Sequence, residues 1–550
     1  MLMPEFNLVD RPWIPCLMLE TGEARELSLR ETLTQAHRAL ELFDDSPLVT
    51  VAMHRFLLAV LHACFRGPRD FDEWKRLWAN ERWDEAKINQ YLDGQKRRFD
   101  LFDTERPFYQ VPLMKKENGG RKTPKKPAKN EAQAEDELVE FHPIALLAHE
   151  AATGNNATLF DHRFNDAPRA VSPAEAARYL IARQAFSVGG GVSYPFNLRH
   201  APLASGFTVL AQGNDLFETL ALNLMTYTSE RPIVGRSDAE DAPIWEQSRP
   251  EDPNEKGTRP RGYVDYLTWQ SRRIYLEPES KPAMVRRCQL QQKLKLNDQP
   301  LLFDPFKCYD FERDDKGNEK AAKAFGLSPS KAVWRDSHAL FQQIKDEKKG
   351  VRRPEVFNHL ATIELARQTG EVEADPAYAF TVYGFATEPG KAANVIHWAR
   401  ERLPLPLSYL TDGGLVEALA DALKLAEEVA ENLKIAVKAL ARALVGDQDA
   451  GELARSFGAE SLYWSRLETP FKRLLVALPN QNREDEYEWA RTVERAAWNA
   501  LNQGTAGLSG SARDFKAINA AETVFNQLLS KTREKFPQLF PQTQTAGGQA

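Results

Sequence analysis

The sequence holds only four cysteines, Cys16, Cys64, Cys288 and Cys308, scattered over 550 residues with no Cys-x-x-Cys pair. That excludes a disulfide framework and a zinc ribbon and fits a reduced, cytoplasmic chain. No apolar run approaches the length that crosses a bilayer. Residues 1–6 carry neither a basic n-region nor an apolar h-region, so no signal peptide is expected. The common signatures of catalysis are missing as well: there is no GxxxxGK[ST] loop, no GxGxxG and no GxSxG elbow. His149-Glu150 is followed by Ala151-Ala152-Thr153 and not by the second histidine of an HExxH helix. Asp161-His162 stands alone in a polar loop and reads as a surface hydrogen-bond pair. No catalytic constellation, cofactor or metal is expected. An excess of positive charge is also lacking: 72 Lys and Arg against 78 Asp and Glu leave −6, which argues against a chain coated in nucleic acid.

What the chain does hold begins with three consecutive glycines, Gly189, Gly190 and Gly191, followed by Val192-Ser193-Tyr194-Pro195. Glycine loses more conformational entropy on folding than any other residue, so a triplet points to backbone that must come very close to something. Another strand, a phosphate and a base edge all meet that description. Between Lys256 and Lys295, ten Lys and Arg face three acids, Asp265, Glu277 and Glu279, a local balance of 10 − 3 = +7 within an acidic chain. Such a segment suits contact with nucleic acid over one limited face. Tyr263, Tyr266, Trp269 and Tyr275 lie among these charges. Aromatics mixed with cations stack bases and neutralise phosphates. They also make a half-buried sheet, and composition leaves both readings open.

Local patterns supply the elements. Trp13 to Leu29 reads as a hairpin turning at Glu20-Thr21-Gly22-Glu23, and Ser28 with Glu31 forms a capping box. Ser46-Pro47 starts a helix that is apolar nearly all round and stops near Gly67, predicting a central core helix. Its His54 and His62 have no flanking Cys or carboxylate and read as packed histidines. Residues 115–138 read as a disordered insertion, basic and then acidic. His142 to Ala152 reads as a helix, Ser172-Pro173-Ala174-Glu175 starts another that leads to the glycines, and Met284 to Leu296 reads as a strand. From Leu415 to Leu444 apolar residues recur every three or four positions on one helix of about 30 residues. Helices over about Glu460–Leu478, bent or broken at Pro470, Glu484–Leu501 and Ser511–Phe536 follow with short connections. They argue for an antiparallel four-helix bundle, and the seam lacks the Glu-x-x-His pairs of a di-iron site. The expected class is α+β: a mixed α/β domain over 1–402, a four-helix bundle over 403–536 and a disordered tail over 537–550.

The opening Phe6-Asn7-Leu8-Val9-Asp10-Arg11-Pro12-Trp13-Ile14-Pro15, followed by the hairpin and Ser28-Leu29-Arg30-Glu31, resembles the CasA family, the large subunit of the type I-E CRISPR surveillance complex Cascade. Arg106-Pro107-Phe108-Tyr109-Gln110, the Gly-rich segment 187–191, Phe303-Asp304-Pro305-Phe306, Tyr383-Gly384-Phe385 and Arg402-Leu403-Pro404-Leu405-Pro406 match in family order, so the resemblance spans essentially the whole chain. It implies a protein that is not an enzyme and that sits among other Cascade subunits at the 5′ handle of the CRISPR guide RNA. It implies recognition of the protospacer-adjacent motif in double-stranded target DNA, a start of strand separation and a platform for the helicase-nuclease. Guide pairing supplies the remaining specificity.

Carried onto this sequence, the family's glycine loop falls on Ser187–Gly191, with Gly190 the first choice for the DNA contact beside Gly189 and Gly191. Bare backbone suits the narrow minor groove, whose readout is degenerate. The family's lysine finger falls on Lys293, or on Lys295 if the register slips. The loop toward the RNA handle and a neighbouring subunit falls on Leu159, Phe160 and Asp161. The family wedge, a Gln at the tip of a turn between strand and helix, has no counterpart in Thr387-Glu388-Pro389-Gly390-Lys391. Pro389, with Lys391 beside it, is left as the rigid group able to unstack a base step. Only Cys288 lies near the position where some relatives carry a cysteine cluster, so no zinc is expected. Two other classes stay open: a helical scaffold or adaptor with no nucleic-acid role, and a hydrolase whose catalytic cluster forms only on folding.

Overall fold

Ser46 accepts a hydrogen bond from the Val49 N–H (3.2 Å) and Pro47 pre-sets the first turn, starting the helix Pro47–Phe65 around which the first unit is built. This computed structural model describes residues 5–116, 138–150, 169–226, 241–248, 252–280, 283–297, 301–317, 319–342, 348–388, 391–508 and 510–541. By length and composition the core helix could cross a membrane, contrary to the sequence reading, but 89% of its apolar window is buried inside the fold. Phe56 at its middle meets Trp13, Phe99, Phe108, Tyr109 and Trp245 edge-on at 5.7–6.4 Å between centroids. Edge-to-face contacts of this kind add to the burial of the rings themselves.

Among the described residues the chain forms two compact units. One takes Met1–Ala332, Ile344–Ala374 and Tyr378–Arg402; the other takes Val333–Gln343, Asp375–Ala377 and the chain from Leu403 onward. The first is mixed α/β, with small antiparallel sheets. Ile14–Met18 pairs with Ala24–Leu27 on one side and Ala39–Leu42 on the other. Arg272–Ser280 and Ala283–Gln292 form a hairpin that His142–Pro143 extends. Here the expected helix over His142–Ala152 gives way to a two-residue strand and a 3-10 turn at Ile144–Leu147. Pairing of His142 with Cys288 and of Pro143 with Arg287 decides the matter, and Pro143 suits the sheet's edge. Strand Ala377–Glu388 lies between Thr208–Gln212 and Lys391–Pro406. The insertion read over 115–138 falls mostly outside the described residues, but its rims, Lys115 and Leu138, form an antiparallel bridge.

A buried ion pair locks this unit. Arg55 on the core helix donates to the Asp304 carboxylate (3.0 Å) and to the carbonyls of Leu267 and Tyr266, and its guanidinium lies 4.5 Å from the Tyr266 ring centre. Asp304 also accepts from the Tyr266 hydroxyl (2.8 Å) and the Phe306 N–H (2.9 Å). The Phe303-Asp304-Pro305-Phe306 motif is therefore a hub of the core.

In the second unit the helix Gly413–Val445 packs against Ala459–Ala477, Arg483–Thr505 and Ala512–Lys535. Polar clips fix the contacts: Tyr463 Oη donates to the Ala426 carbonyl, Trp489 Nε1 to that of Ala422, and Asn432 Nδ2 to Thr532 Oγ1. The Ala459–Ala477 helix is unbroken at Pro470, because Leu467, Phe471 and Leu474 bury the turns on both sides. Arg335 clasps both oxygens of Glu427 and lies 3.6 Å over Trp464, so a segment from well before residue 403 belongs to this unit. The tail begins later than the sequence reading placed it: Pro537–Leu539 form a 3-10 turn and Leu539 is buried, since an apolar side chain within reach of the helices does not stay in water. Residues 542–550 lie outside the described residues.

The core histidines make stability pH-dependent. His54 donates from Nδ1 to the Thr50 carbonyl (2.8 Å), and burial holds its pKa down at about 4. Burial, then Arg183 and Arg272, likewise keeps His149 neutral well below the ordinary value. The unfolded chain takes up these protons near pH 6.5, whereas the folded chain resists, so stability is full above about 6.5 and falls as pH drops toward 4. His54 alone is expected to cost on the order of 2 kcal/mol by about pH 5. Urea titrations of the intact chain at neutral and mildly acid pH read this out, and an unchanged midpoint would contradict it.

Candidate nucleic-acid interface

The helix Pro173–Phe186, capped by Ser172, packs on the core helix and hands the chain to the glycines. The triplet divides into two jobs. Gly189 is buried, its N–H donates to His200 Nδ1 (3.1 Å), and a Cβ there would sit 3.2–3.3 Å from His200 and Leu198. Its close approach is internal, so Gly189 is not open to DNA as the sequence reading had it. Gly190 and Gly191 are exposed, at φ +103° and +83°, the left-handed region that favours glycine. Nothing lies within 4 Å of a Cβ built on Gly190. The Gly190 N–H donates to the Leu198 carbonyl (3.0 Å) and the Leu198 N–H to the Gly191 carbonyl (3.3 Å), closing a loop in which Val192, directly after Gly191, is 93% exposed.

The feet of this turn are clamped by a buried arginine. Arg272 Nη2 donates to the carbonyls of Val188 (2.9 Å) and Arg199 (2.7 Å), one on each arm, and Nη1 to those of Ser271 and the Gln292 side chain. These partners are all neutral oxygens, and burial pushes Arg272 down to about 9. Gln292 adds a second strap: its side-chain oxygen accepts from the Arg199 N–H (2.7 Å), and its backbone N–H donates to Ser193 Oγ (2.9 Å). Gln184 of the preceding helix exchanges two bonds with the Arg272 backbone. The glycine turn is thus tied to the 272–292 hairpin, one residue before Lys293.

Lys293 does not protrude. Only 5% of it is exposed, its Nζ donates to Gln270 Oε1, and burial, then Arg273 and Arg106, brings it down to about 8. It lines a cleft of about 700 Å³ together with Arg98, Arg106, Tyr109, Tyr194 and Arg273. Lys295 is half-buried and donates to the Glu255 carbonyl (3.1 Å). The basic segment is also less open than its +7 suggests: Arg286 pairs with Glu279 (2.7 Å) and Arg287 with Glu277 (2.6 Å) across the hairpin. Sequence reasoning missed Arg272 and Gln292, because the turn groups they hold lie 73–99 positions away.

Leu159, Phe160, Asp161 and Pro389 lie outside the described residues. The strand Ala377–Glu388 is followed by the strand Lys391–Pro406, so residues 389–390 connect two strands, not a strand and a helix. Among the described residues no group of three or more His, Cys, Asp or Glu could hold a metal ion.

The family model described as CRISPR-associated protein Cse1 matches residues 7–500. A CRISPR-associated protein CasA/Cse1 from Thermus thermophilus is 30% identical over 555 aligned positions, covering 97% of this chain and 99% of the relative. A crystal structure of Thermus thermophilus CasA superposes with a TM-score of 0.75 at 27% identity, over 96% of this chain and 100% of the other. A chain of a CRISPR RNA-guided surveillance complex shares the fold, with a TM-score of 0.69 at 19% identity over 96% of this chain and 100% of its own.

Proposed function

The chain belongs to the CRISPR-associated Cse1 (CasA) family, and on that premise we propose that it is the large, non-catalytic subunit of an RNA-guided Cascade-type surveillance complex. It reads a short flanking motif in double-stranded DNA, helps to start strand separation and offers a docking platform to a helicase-nuclease. Its contact with the guide-RNA handle and a neighbouring subunit runs through Leu159, Phe160 and Asp161. The C-terminal helices act as a four-helix bundle. Duplex contact is made by Gly190 and Gly191, with Lys295 and Lys391 supplying charge and Pro389 serving as wedge, while Lys293 acts from the neighbouring cleft.

One observation carries the DNA reading: the exposed Gly190-Gly191 turn presents backbone with no side chain, and a buried clamp on both arms holds it in place. A minor groove about 6 Å wide admits such a turn where it would exclude most side chains. A clamp set before DNA arrives spares the ordering cost of binding. The likeness to a surveillance-complex chain supports the assembly. The test is reconstitution with guide RNA and the other subunits, with and without this chain. Motif-dependent retention of target duplex is expected only with it. Equal retention in its absence would favour the scaffold reading.

A further inference from the structure

The Arg106-Pro107-Phe108-Tyr109-Gln110 run has no part in the glycine turn, yet all five residues line the cleft beside it. We propose that this cleft is a binding site for the phosphodiester backbone of single-stranded DNA, the strand that leaves the duplex next to the glycine turn. Four cations, Arg98, Arg106, Arg273 and Lys293, line it against two carboxylates, Glu105 and Asp252. Arg97 already binds Glu105 at 2.9 Å. Lys293 feels Arg273 and Arg106 as like charges, with Asp265 the one opposing carboxylate, and Asp265 is engaged by Gln247 Nε2 and the Arg261 N–H. A bound phosphate would relieve that repulsion.

Size and position narrow the ligand. A volume of about 700 Å³ lies in the range of small-molecule sites and is far too small for a duplex. One or two nucleotide units fit it. Tyr194 and Pro195 form part of its wall and follow directly on the Gly190–Ser193 turn, so a strand leaving a duplex read by Gly190 meets the cleft next. Tyr109, held at φ +57°, sits in the wall between Phe108 and Gln110. Gln110 Nε2 is bound to the Leu101 carbonyl and its oxygen to the Leu276 N–H, and Arg106 Nη2 donates to the Gln247 carbonyl (2.6 Å), which fixes the wall.

The inference rests on the DNA-reading proposal only for the identity of the strand. Its assay needs neither guide RNA nor partner subunits, so its failure and the failure of motif reading are separate events. The intact chain is titrated with a short labelled oligothymidylate while sodium chloride is varied. Arg98→Glu with Arg273→Glu is expected to weaken binding at least about tenfold and to flatten the salt dependence by about 0.7 per lost phosphate contact. The neutral pair Arg98→Gln with Arg273→Gln should move both in the same direction by less, and serves if the reversed pair fails to fold. Arg286→Glu with Arg287→Glu, outside the cleft, should change binding less than about twofold. Equal loss in the cleft and outside pairs would overturn the assignment, as would no loss in the cleft variants. Tighter binding of an oligouridylate of the same length, or of pyrophosphate that the oligothymidylate cannot displace, would also overturn it.

Discussion

Replacing Gly190 by aspartate is expected to cut motif-dependent capture of target duplex by the assembled complex about 100-fold or more while the chain stays folded. The fold tolerates the change because Gly190 is exposed and no atom lies within 4 Å of the new Cβ. A side chain at φ +103° costs about 1–3 kcal/mol of local strain, which the clamp from Arg272 to Val188 and Arg199 can absorb. The interface does not tolerate it. Aspartate brings bulk into a groove that bare backbone had matched, and a negative charge beside phosphates. Gly190→Ala carries the strain and a single methyl without the charge, so it should fall between aspartate and the unmodified chain. Retention of labelled duplexes that carry or lack the flanking motif measures both. If aspartate leaves the ratio between the two duplexes unchanged, Gly190 does not touch the motif.

Replacing Asp304 by alanine is expected to destabilise the first unit by about 3–5 kcal/mol, the cost of leaving a buried charge without its partner. Asp304 is 2% exposed and Arg55 5%, and the carboxylate accepts from Arg55, Tyr266 and the Phe306 N–H at once. Removing it strands the guanidinium between the core helix and the 263–267 helix, with two carbonyls and the Tyr266 ring left but no opposite charge. Asp304→Asn keeps the shape and part of the bonding, so it should cost less than alanine but still shift the urea midpoint down. A loss below about 1 kcal/mol for alanine would mean that water reaches Arg55 and that the motif is not the lock described here.

The parts of the fold written in neighbouring residues were legible in the sequence. Ser28 with Glu31 and Ser46 with Pro47 start helices by chemistry that acts over three positions, and both do so here. The apolar seam from Leu415 is buried along the helix Gly413–Val445 as far as Leu440. What depends on distant partners was not legible. Only the position of His200 and Leu198 separates Gly189, a packing glycine, from Gly190 and Gly191, which turn outward. Lys293 looks like any exposed lysine after a strand until the hairpin brings Gln270 to its Nζ. Arg272 is one of the ten cations of the basic segment by sequence, yet it is 1% exposed and holds both arms of the turn. Backbone carbonyls far along the chain carry no sequence signal, so no reading of residue types would have found that clamp.

The central claim is that the tip of the glycine turn lies against the duplex that flanks the target. Val192, next to Gly191 and 93% exposed, lies beside the bare backbone of Gly190 and Gly191 and not on it, so it accepts a photo-crosslinking residue without disturbing the core. Irradiating the assembled complex bound to target DNA should then join residue 192 to the flanking duplex, within the motif and not within the guide-paired region. A crosslink confined to guide RNA or to a neighbouring subunit, with none to the flanking DNA, would contradict the account.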